Sequence, residues 1–510
     1  MATNALSAAD AVGVIGAGTM GAGIAQVAAA AGHEVYLFDA ADGAAAKGVE
    51  RIAAGLDKLV ARGRMEAPAR EELLARIHAA DEMDKLAGCA LVVEAIVEDL
   101  DVKRDVFARL EKICGDDAIL ATNTSSLSIT AIAARLDQPQ RVVGMHFFNP
   151  APIMKLVEIV SGLDTDPAVA ERTFATARAW GKHPVHARST PGFIVNRVAR
   201  PFYGEALRLL EERVAPVATL DAVVRGAGGF RMGPFELMDL IGIDVNYAVT
   251  SSVYEAFYND PRFLPSLEQK ERIDGGRLGR KSGRGFYDYG GDATAPGPRP
   301  APTREAPEAV EIGPLPDLLA PLVERIKAAG IVTETRADLG DVIRFDGGEL
   351  ALTDGRTAAR RAFEDMHVNL SLFDLCVDFG ASTAVAMTAA ATCPVDAHHR
   401  AQGLMQAAGF TVYEVADTPA LVLMRIVSMI VNEAAEAVLT GVADAAGIDT
   451  AMLSGVNYPG GPLALADEIG AETVLTVLNH LQQGYGLDRY RPSLELQQRV
   501  YGAQTFHGRS

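Results

Sequence analysis

The sequence predicts an α/β domain followed by an all-α domain, then a small α/β unit and a second, repeated all-α domain. In the first 187 residues, short apolar strand patterns alternate with helical patterns, which is typical of a mostly parallel sheet covered by helices. From Pro191 to about Asp288 only helical patterns remain. Many residues of that helical region then recur 228 positions later, which indicates a duplicated domain.

Six short apolar runs of the first region predict strands, with helical stretches between many of them. They are residues 11–15, 34–38, 90–96, 118–123, 142–148 and 155–160. Residues 11–33 carry no formal charge and are long enough to cross a bilayer. Their many glycines and few large apolar side chains favour a buried strand, turn and helix instead.

The helical region opens with Thr190 as a candidate N-cap and Pro191 at the first helical position. Residues 290–311, rich in Pro, Ala and Gly, are typical of an interdomain linker. The segment VIRFDGGELALTDG, within the small α/β unit, predicts a hairpin with Gly-rich turns. The predicted domains are 1–187, 188–289, 312–415 and 416–510, with the linker at 290–311.

The two helical domains align without a gap over more than 50 positions. The coinciding residues include Thr190 with Thr418, Arg197 with Arg425, Asp221 with Asp449, Gly233 with Gly461 and Asp239 with Asp467. We expect the two copies to pack on each other within one chain as a pseudo-two-fold pair.

Composition restricts the class of partner. The 510 residues carry a formal charge of −19, which argues against nucleic acid or an anionic membrane as a partner. None of the four cysteines forms a C-x-x-C pair, so neither a disulfide framework nor a metal site is indicated. The N-terminal residues show no signal-peptide pattern, and we predict a cytoplasmic protein.

A G-x-G-x-x-G motif lies between the first strand and an amphipathic helix. Its glycines allow a tight turn and bring backbone N–H groups close to a pyrophosphate at the helix N-terminus. The next strand ends in Asp39, which can bind the adenine ribose hydroxyls and would repel a 2′-phosphate. The pattern predicts a Rossmann site for NAD rather than NADP, with FAD or a purely structural turn as alternatives. The loop residues are Gly16, Gly18, Thr19, Met20 and Gly21.

Two charged residues follow the strand at 90–96, where loops of a parallel sheet face the ligand. Glu98 and Lys103 could hold the nicotinamide ribose. The alternative is a solvated first helical turn, which acidic residues favour in any protein.

His146 lies near the carboxyl end of the strand at 142–148, and Glu158 interrupts the apolar run KLVEIV. A dehydrogenase needs an acid or base to move the hydroxyl proton, and histidine suits that task near neutral pH. A buried carboxylate needs a partner, and Glu158 would fix the tautomer of His146. A structural His–Glu hydrogen bond, or a glutamate on an exposed strand face, explains the pattern equally well.

Ser125, in the hydroxyl-rich segment ATNTSSLSIT, could bind a substrate oxygen. The alternative for these serines is a helix cap, formed by Ser128 or a neighbour. Asn196 interrupts an apolar helical face and could either reach the site or bridge two helices. Its counterpart in the second copy is Met424. Loss of this amide while the scaffold residues persist favours a functional role for Asn196.

Together these segments resemble the 3-hydroxyacyl-CoA dehydrogenase family. The resemblance covers residues 11–289 in order and rests on G-x-G-x-x-G, EAIVE, NTSSL, HFFNP, KLVE, TPGFIVNR, GPFELMD and GRKSGRGFY. It implies that His146 is the catalytic base, that Glu158 orients it, and that Ser125 and Asn196 contact the substrate near the reacting oxygen. It also implies NAD contacts at Asp39, Glu98, Lys103, Asn149 and Lys281.

The resemblance implies reversible, NAD-dependent oxidation of (S)-3-hydroxyacyl-CoA to 3-oxoacyl-CoA. CoA phosphates need cations, and a predicted helix in residues 47–64 is basic within an acidic chain. Arg51 and Lys58 of this helix are the predicted CoA contacts, although a solvated helix face with i,i+4 ion pairs is an equal alternative. The basic residues are Lys47, Arg51, Lys58, Arg62 and Arg64.

The long form with a second helical repeat resembles bacterial enzymes described as 3-hydroxybutyryl-CoA or 3-hydroxyadipyl-CoA dehydrogenases, the latter of phenylacetate breakdown. The unit at 312–415 lacks a Gly-rich phosphate loop, so no second NAD site is expected. Two other functions stay open, a dehydrogenase of a free hydroxy or sugar acid and a non-catalytic NAD-binding protein. Relatives with one repeat usually dimerise, so a homodimer also stays open.

Overall fold

The computed structural model describes residues 5–290 and 297–508. The chain divides into two compact units. The first comprises the described residues up to Arg197 together with Thr440–Val456. The second comprises Val198–Leu439, as far as described, and the described residues from Asn457 onward.

The first unit contains an eight-stranded sheet in the order β3-β2-β1-β4-β5-β6-β7-β8, in which only the β6–β7 pair is antiparallel. Its strands are β1 Ala11–Ile15, β2 Val35–Phe38, β3 Ile77–Ala80, β4 Cys89–Glu94, β5 Ile119–Thr122, β6 Val142–Phe147, β7 Leu156–Ser161 and β8 His183–Arg188. Its first helices are α1 Thr19–Ala30, α2 Ala44–Ala61, α3 Ala67–Ala75, α4 Leu100–Ile113, α5 Ile129–Ala133, α6 Pro167–Ala179 and α7 Val195–Val198.

The six predicted strands are all present, and the sheet has two more, β3 and β8. Both are edge strands of the sheet. In β3 only the two end residues are buried, and β8 alternates buried and exposed positions with His, Pro and Arg among them. Such strands lack the continuous apolar run that marks a strand buried on both faces.

The second unit contains helices on both sides of a mixed seven-stranded sheet in the order β10-β9-β11-β12-β13-β14-β15. Its elements before residue 440 are α8 Arg200–Glu211, α9 Val217–Gly228, α10 Pro234–Ile241, α11 Ile243–Ala256, α12 Leu267–Asp274, β9 Ala309–Ile312, α13 Ala320–Ala328, β10 Val332–Thr335, β11 Ile343–Phe345, β12 Gly348–Leu352, α14 Ala358–Glu364, β13 Leu370–Phe373, β14 Ala384–Ala389, α15 Val395–Ala407, β15 Thr411–Glu414 and α16 Leu423–Leu439. The hairpin predicted in VIRFDGGELALTDG is the antiparallel pair β11–β12.

The next helix, α17 Ala445–Val456, belongs to the first unit, where it packs against β7 and the edge strand β8. The N–H of Arg188 in β8 donates to the carbonyl of Val442 at 2.8 Å, and Nδ1 of His183 lies 3.0 Å from the Ser454 hydroxyl. A segment of the second helical repeat therefore covers the outer edge of the first sheet. The chain then ends in the second unit with α18 Pro462–Ile469, α19 Ala471–Tyr485 and α20 Leu494–Tyr501.

The duplication is longer than the helical domains. Adding 228 to the bounds of β7 and α6 gives the bounds of β14 and α15. The strand before β14, β13, pairs with it antiparallel, as β6 does with β7. The small α/β unit is thus a second copy of the last part of the first sheet. The two copies correspond in the positions of their strands and helices, which shared residue identities do not reveal.

The helices α8 and α16, which occupy equivalent positions in the two repeats, pack together within the second unit. Phe230 and Tyr458 are equivalent residues separated by 228 positions, and their ring centroids lie 5.1 Å apart. Contact between a residue and its own equivalent is expected on a two-fold axis.

Polar contacts away from these rings occur in reciprocal pairs. Glu205 accepts a hydrogen bond from the Tyr490 hydroxyl at 3.0 Å. The equivalent of Glu205 is Glu433, whose carboxylate lies 3.5 Å from Nη1 of Arg262, the residue equivalent to Tyr490. The contacts within this unit therefore follow the pseudo-two-fold pairing expected from the sequence repeat.

The predicted linker at 290–311 falls partly outside the described residues, because residues 291–296 are not described. Residues 297–308 contain no helix or strand, and β9 begins at Ala309. The predicted domain boundaries stay a prediction. The two compact units are defined by contacts between residues, and such contacts do not show which segments fold independently. None of the described helices is both long and apolar enough to cross a membrane.

One buried carboxylate ties the second sheet to the turn before α16. Asp374, at the end of β13, is fully buried and accepts backbone hydrogen bonds from Val422, Leu423 and Met424 at 3.0, 2.6 and 3.0 Å. The substitution Asp374→Ala leaves these N–H groups buried without an acceptor, so we expect the free energy of unfolding to fall by about 3 kcal/mol or more. Chemical denaturation measures this difference.

The matched control is Asp346→Ala, which removes an exposed carboxylate in the turn of the β11–β12 hairpin. We expect that variant to stay within about 0.5 kcal/mol of the unsubstituted protein. Equal destabilisation by the two substitutions would contradict the role assigned to Asp374.

Candidate active site

The glycine-rich loop joins β1 to α1 at the centre of the first sheet. Gly16 has a φ of +97°, and a Cβ on it would lie 2.5 Å from the carbonyl oxygen of Ala95. A Cβ on Gly21 would lie 1.7 Å from the carbonyl oxygen of Gly16. A Cβ on Gly18, by contrast, would meet no described atom within 4 Å. Two glycines are thus required by the fold, while Gly18 leaves space at the N-terminus of α1, where a pyrophosphate binds.

Thr19 and Met20 form the first residues of α1 beside this space. Asp39, just after β2, accepts the N–H of Ala17 at 2.7 Å and the N–H of Ala41 at 3.0 Å, one on each carboxylate oxygen. Each oxygen keeps a further acceptor position for a ribose hydroxyl. The loop and Asp39 therefore fit a dinucleotide cofactor.

The basic helix is α2, and the structure places Arg51 against the glycine-rich loop, where Nη2 donates to the carbonyl of Ala17 at 2.7 Å. The sequence did not indicate this arginine near the loop. The five basic side chains of residues 47–64 are exposed, and within the described residues none of them forms an ion pair. The helix face is thus solvated, as the alternative to CoA binding states, but the described residues show no i,i+4 ion pair on it.

A buried lysine links the loops after β4 and β5. Lys103 is 1% exposed, and its Nζ lies 2.6 Å from Oε1 of Glu94 and 3.3 Å from Oε2 of Glu98. Glu98 also accepts the Thr124 hydroxyl at 2.6 Å and the N–H of Ser125 at 3.0 Å. The alternative of a solvated helical turn is wrong for Lys103, because its ammonium is buried and pairs with two carboxylates.

Opposing effects act on the pKa of the Glu98 carboxyl. Burial alone would raise the pKa, but the hydrogen bond from Thr124, the charge of Lys103 and the hydrogen bond from Ser126 together lower it below its usual range. The carboxylate thus stays ionised near the edge of the sheet where the cofactor loop lies. A contact with the nicotinamide ribose stays a prediction for both Glu98 and Lys103.

Ser125 is exposed just beyond the carboxyl end of β5. The helix-cap alternative belongs to Ser128, whose hydroxyl accepts the N–H of Ala131 at 3.2 Å at the start of α5. Sequence reasoning missed three residues of this network, Glu94, Thr124 and Ser126. An acidic residue ending the buried strand β4 was the available signal for Glu94.

His146 and Glu158 face each other in register across the antiparallel pair β6–β7. Nδ1 of His146 lies 2.6 Å from Oε2 of Glu158, and the two residues are 6% and 0% exposed. The other oxygen of Glu158 accepts the N–H groups of Ile194 and Val195, each at 3.0 Å. Because an ionised carboxylate only accepts hydrogen bonds, Nδ1 carries a proton and Nε2 presents its lone pair.

The described residues offer no hydrogen-bond partner to Nε2 of His146. The ring lies between Phe148 and Phe193, with centroids 4.5 and 5.8 Å away. These apolar flanks hold the ring in place, and Nε2 is the ring nitrogen that stays available to a ligand.

The prediction that a helix begins at Thr190 and Pro191 is wrong, because residues 191–194 form a turn and α7 begins at Val195. Gly192 and Phe193 have φ values of +75° and +46°, and this left-handed backbone directs the next two N–H groups to Glu158. Asn196 follows directly and is partly exposed. Its position is therefore set by the same carboxylate that orients His146.

The remaining predicted site residues lie as follows. Asn149 is exposed after β6 and precedes a cis peptide bond to Pro150. Lys58 is exposed on α2. Lys281 belongs to the second unit, where its Nζ lies 2.6 Å from Oδ1 of Asp244.

The second copy lacks the His–Glu pair. The equivalents of His146 and Glu158 are Asp374 and Ala386, 228 positions later. In that copy Asp374, on the other strand of the pair, accepts the N–H groups before α16. A single carboxylate is thus sufficient to hold the turn, and this hydrogen-bonding role does not require a histidine.

The backbone of that turn keeps its geometry in both copies. Ala420 and Leu421, the equivalents of Gly192 and Phe193, have φ values of +61° and +51° although neither is glycine. Retention of this strained backbone, which costs on the order of 1 kcal/mol or more per residue, shows that the turn is structural. The need to hold this turn therefore does not explain the imidazole of His146.

We expect Gly18→Ala to weaken NADH binding by about tenfold, or about 1.4 kcal/mol, because its methyl group enters the space at the N-terminus of α1. Fluorescence titration measures the affinity. Gly55→Ala is the control, since Gly55 is exposed in α2 and also has open space at its Cβ position. Unchanged affinity in the Gly18 variant would place the pyrophosphate elsewhere.

Comparison with protein families gives three matches. The NAD binding domain of 3-hydroxyacyl-CoA dehydrogenase matches residues 11–190, and the C-terminal domain of the same family matches residues 192–289 and 421–506. A reduced Rossmann-fold domain of 3-hydroxybutyryl-CoA dehydrogenase matches residues 350–419.

Among curated proteins, the chain is 46% identical to the 3-hydroxyadipyl-CoA dehydrogenase of Escherichia coli K12 over 489 residues, covering 96% of this chain and 97% of that one. It is 40% identical to the 3-hydroxybutyryl-CoA dehydrogenase of Clostridioides difficile over 276 residues, covering 54% of this chain and 98% of that one. A crystal structure of 3-hydroxybutyryl-CoA dehydrogenase from Escherichia coli K12 matches with a TM-score of 0.88 and 44% identity, covering 97% of this chain and 99% of that one.

Proposed function

This chain belongs to the 3-hydroxyacyl-CoA dehydrogenase family, and we propose that within it His146 is the general base and Glu158 the residue that orients it. The protein is an NAD-dependent enzyme that oxidises 3-hydroxyacyl-CoA to 3-oxoacyl-CoA. This family membership sets aside the free-acid and non-catalytic alternatives. The finer proposal concerns the roles of individual residues, the (S) stereochemistry and the acyl chain.

Oxidation of the substrate removes a proton from the C3 hydroxyl and a hydride from C3. Nε2 of His146 takes the proton, because Nδ1 already donates to Glu158 at 2.6 Å. The imidazolium that forms is stabilised by the buried Glu158 carboxylate. Bound NAD supplies the hydride acceptor. Ser125 and Asn196 hydrogen-bond the C3 oxygen and hold the carbon in place.

The cofactor is held by the glycine-rich loop, by Asp39 at the adenine ribose and by Glu98. Lys103 forms an ion pair with Glu98. Asn149 and Lys281 complete the proposed NAD contacts. Arg51 and Lys58 on the exposed face of α2 are the proposed contacts for CoA phosphates.

The observation that carries the proposal is the His146–Glu158 pair. It is buried, in register, and leaves Nε2 available, and the second copy keeps a carboxylate for the turn but has Asp374 in place of the histidine. We further propose a short or medium acyl chain, with 3-hydroxybutyryl-CoA and 3-hydroxyadipyl-CoA as candidate substrates, because similar proteins carry those names.

A cytoplasmic location is part of the proposal and is supported by four cysteines that are all free thiols. A homodimer stays a prediction.

We expect His146→Ala to lower kcat about a hundredfold or more, because the variant loses the proposed general base for the hydroxyl proton. Steady-state oxidation of 3-hydroxybutyryl-CoA measures kcat, and NADH titration should give an unchanged affinity. The control is His186→Ala, which removes an exposed histidine that lies 3.1 Å from Glu171 in the same unit. A His146 variant with kcat within tenfold of the unsubstituted enzyme would refute the assignment.

We expect Glu158→Gln to lower kcat on the order of a thousandfold. The amide oxygen can still accept the N–H groups of Ile194 and Val195, but the amide NH₂ then faces Nδ1 of His146. Nδ1 must become an acceptor, so the proton moves to Nε2 and the base is lost. Kinetics together with ¹⁵N NMR of the imidazole measure both effects.

Glu171→Gln is the control, because it alters an exposed His–Glu pair by the same chemical change. We expect its kcat to be unchanged. A Glu158→Gln enzyme of normal activity would show that the tautomer of His146 does not depend on this carboxylate.

A further inference from the structure

Lys182, which lies between α6 and β8 in the first unit, is a buried lysine, 6% exposed. Its Nζ donates to the carbonyl of Ala151 at 2.5 Å and to that of Met154 at 2.9 Å. Among the residues that the structure describes, no carboxylate pairs with this ammonium. Burial, together with the charge of Lys155, lowers the pKa of the ammonium to about 8. Because a buried ammonium is costly unless its donors are used, the two carbonyls compensate its burial.

The two carbonyls belong to the loop that joins the strands of the His–Glu pair. Residues 148–155 connect β6, which carries His146, to β7, which carries Glu158. Asn149, a proposed contact of NAD, is the second residue of this loop. Lys182 therefore holds the backbone of a segment that carries a proposed cofactor contact.

The same loop packs closely on α1, the helix that begins at the glycine-rich loop. A Cβ on Gly23 of α1 would lie 3.2 Å from the Cβ of Ala151 and 3.2 Å from the Cδ of Pro152. The absence of a side chain at Gly23 thus lets the loop approach the dinucleotide-binding helix. The loop is fixed by this packing and by the ammonium of Lys182.

The internal repeat contains the same arrangement, built from a different element. The equivalents of Ala151 and Met154 are Phe379 and Ser382. Nη1 of Arg325, on α13, donates to both of these carbonyls, at 3.0 and 2.9 Å. Each copy thus places a cationic donor on the same two carbonyls, which indicates that the loop after this strand needs such a donor to keep its course.

The two copies differ in what the held loop carries. The equivalent of Asn149 is Val377, and the equivalent of Lys182 is Phe410. The ring of Phe410 lies against Arg325, with 3.9 Å between the guanidinium carbon and the ring centroid. The copy without a Gly-rich phosphate loop therefore keeps the cation on the two carbonyls but has no amide at the position of Asn149.

We propose that Lys182 is a positioning residue for the cofactor and acts through Asn149. By holding residues 148–155, its ammonium fixes the backbone from which the amide of Asn149 binds NAD. Lys182 itself contacts neither cofactor nor substrate, because its Nζ is buried and donates to the two carbonyls. This inference rests on the proposed function, in which Asn149 contacts NAD.

The test is a double-mutant cycle on NADH affinity, with Lys182→Met and Asn149→Ala made alone and combined. Met fills similar space but has no donor, so we expect Lys182→Met to weaken NADH binding about tenfold in a fluorescence titration. In the Asn149→Ala background the same substitution should change the affinity less than about twofold, because the contact that Lys182 positions is already absent. At saturating NAD, kcat should change less than about threefold, since His146 and Glu158 keep their own hydrogen bond.

Arg325→Met is the matched control, because it removes the equivalent cation of the second copy. Thermal unfolding should show a lower Tm for both Lys182→Met and Arg325→Met, but Arg325→Met should leave the NADH affinity unchanged. Equal loss of NADH affinity in the two variants would assign Lys182 a purely structural role and overturn the inference. An undiminished effect of Lys182→Met in the Asn149→Ala background would also overturn it.

If Lys182→Met does not fold, Lys182→Gln, which keeps a donor on a shorter side chain, takes its place in the same cycle. Normal NADH affinity in the Lys182 variant, with weakened binding in Asn149→Ala, overturns the inference and leaves the proposed function intact. Normal affinity in Asn149→Ala overturns both the proposed NAD contact and this inference.

Discussion

The catalytic half of the structure depends on one buried carboxylate. Glu158 accepts three hydrogen bonds, one from the imidazole of His146 and two from the backbone at Ile194 and Val195. These donors come from a strand and from the turn that precedes a helix, so their distances are fixed by a single acceptor. A charged group with three short hydrogen bonds in a dry environment has little freedom to move. The imidazole of His146 and the turn that precedes Asn196 are therefore positioned together.

The duplicated half separates the two tasks that this carboxylate performs. In the second copy Asp374 holds the corresponding turn from the opposite strand, and it occupies the position equivalent to His146. The positive φ values of the turn survive there as well, at residues with side chains. Holding the turn and orienting the imidazole are thus distinct tasks, and one carboxylate performs both in the first copy. The second copy keeps only the first of these tasks, which is to hold the turn before α16.

The sequence predicts those features of the fold that depend on short-range residue patterns. Continuous apolar runs identify six of the eight strands of the first sheet, and the glycine spacing identifies the dinucleotide loop. The pattern fails for β3 and β8, whose edge positions need no apolar run. It also fails for contacts made between distant segments, such as Lys103 with Glu94 or Arg51 with the loop at Ala17. Such pairs depend on how elements pack, which short-range periodicity does not contain.

The edge strand β8 has a consequence for how the chain can be divided. Its backbone is covered by residues from beyond position 440, including Val442, which accepts a hydrogen bond from the N–H of Arg188. A fragment ending at residue 290 would expose this edge, and an uncovered strand offers its N–H and C=O groups to any other chain. The catalytic sheet is thus not a separable module in this protein. Residues 440–456 of the second repeat occupy the edge at which another chain could otherwise add a strand.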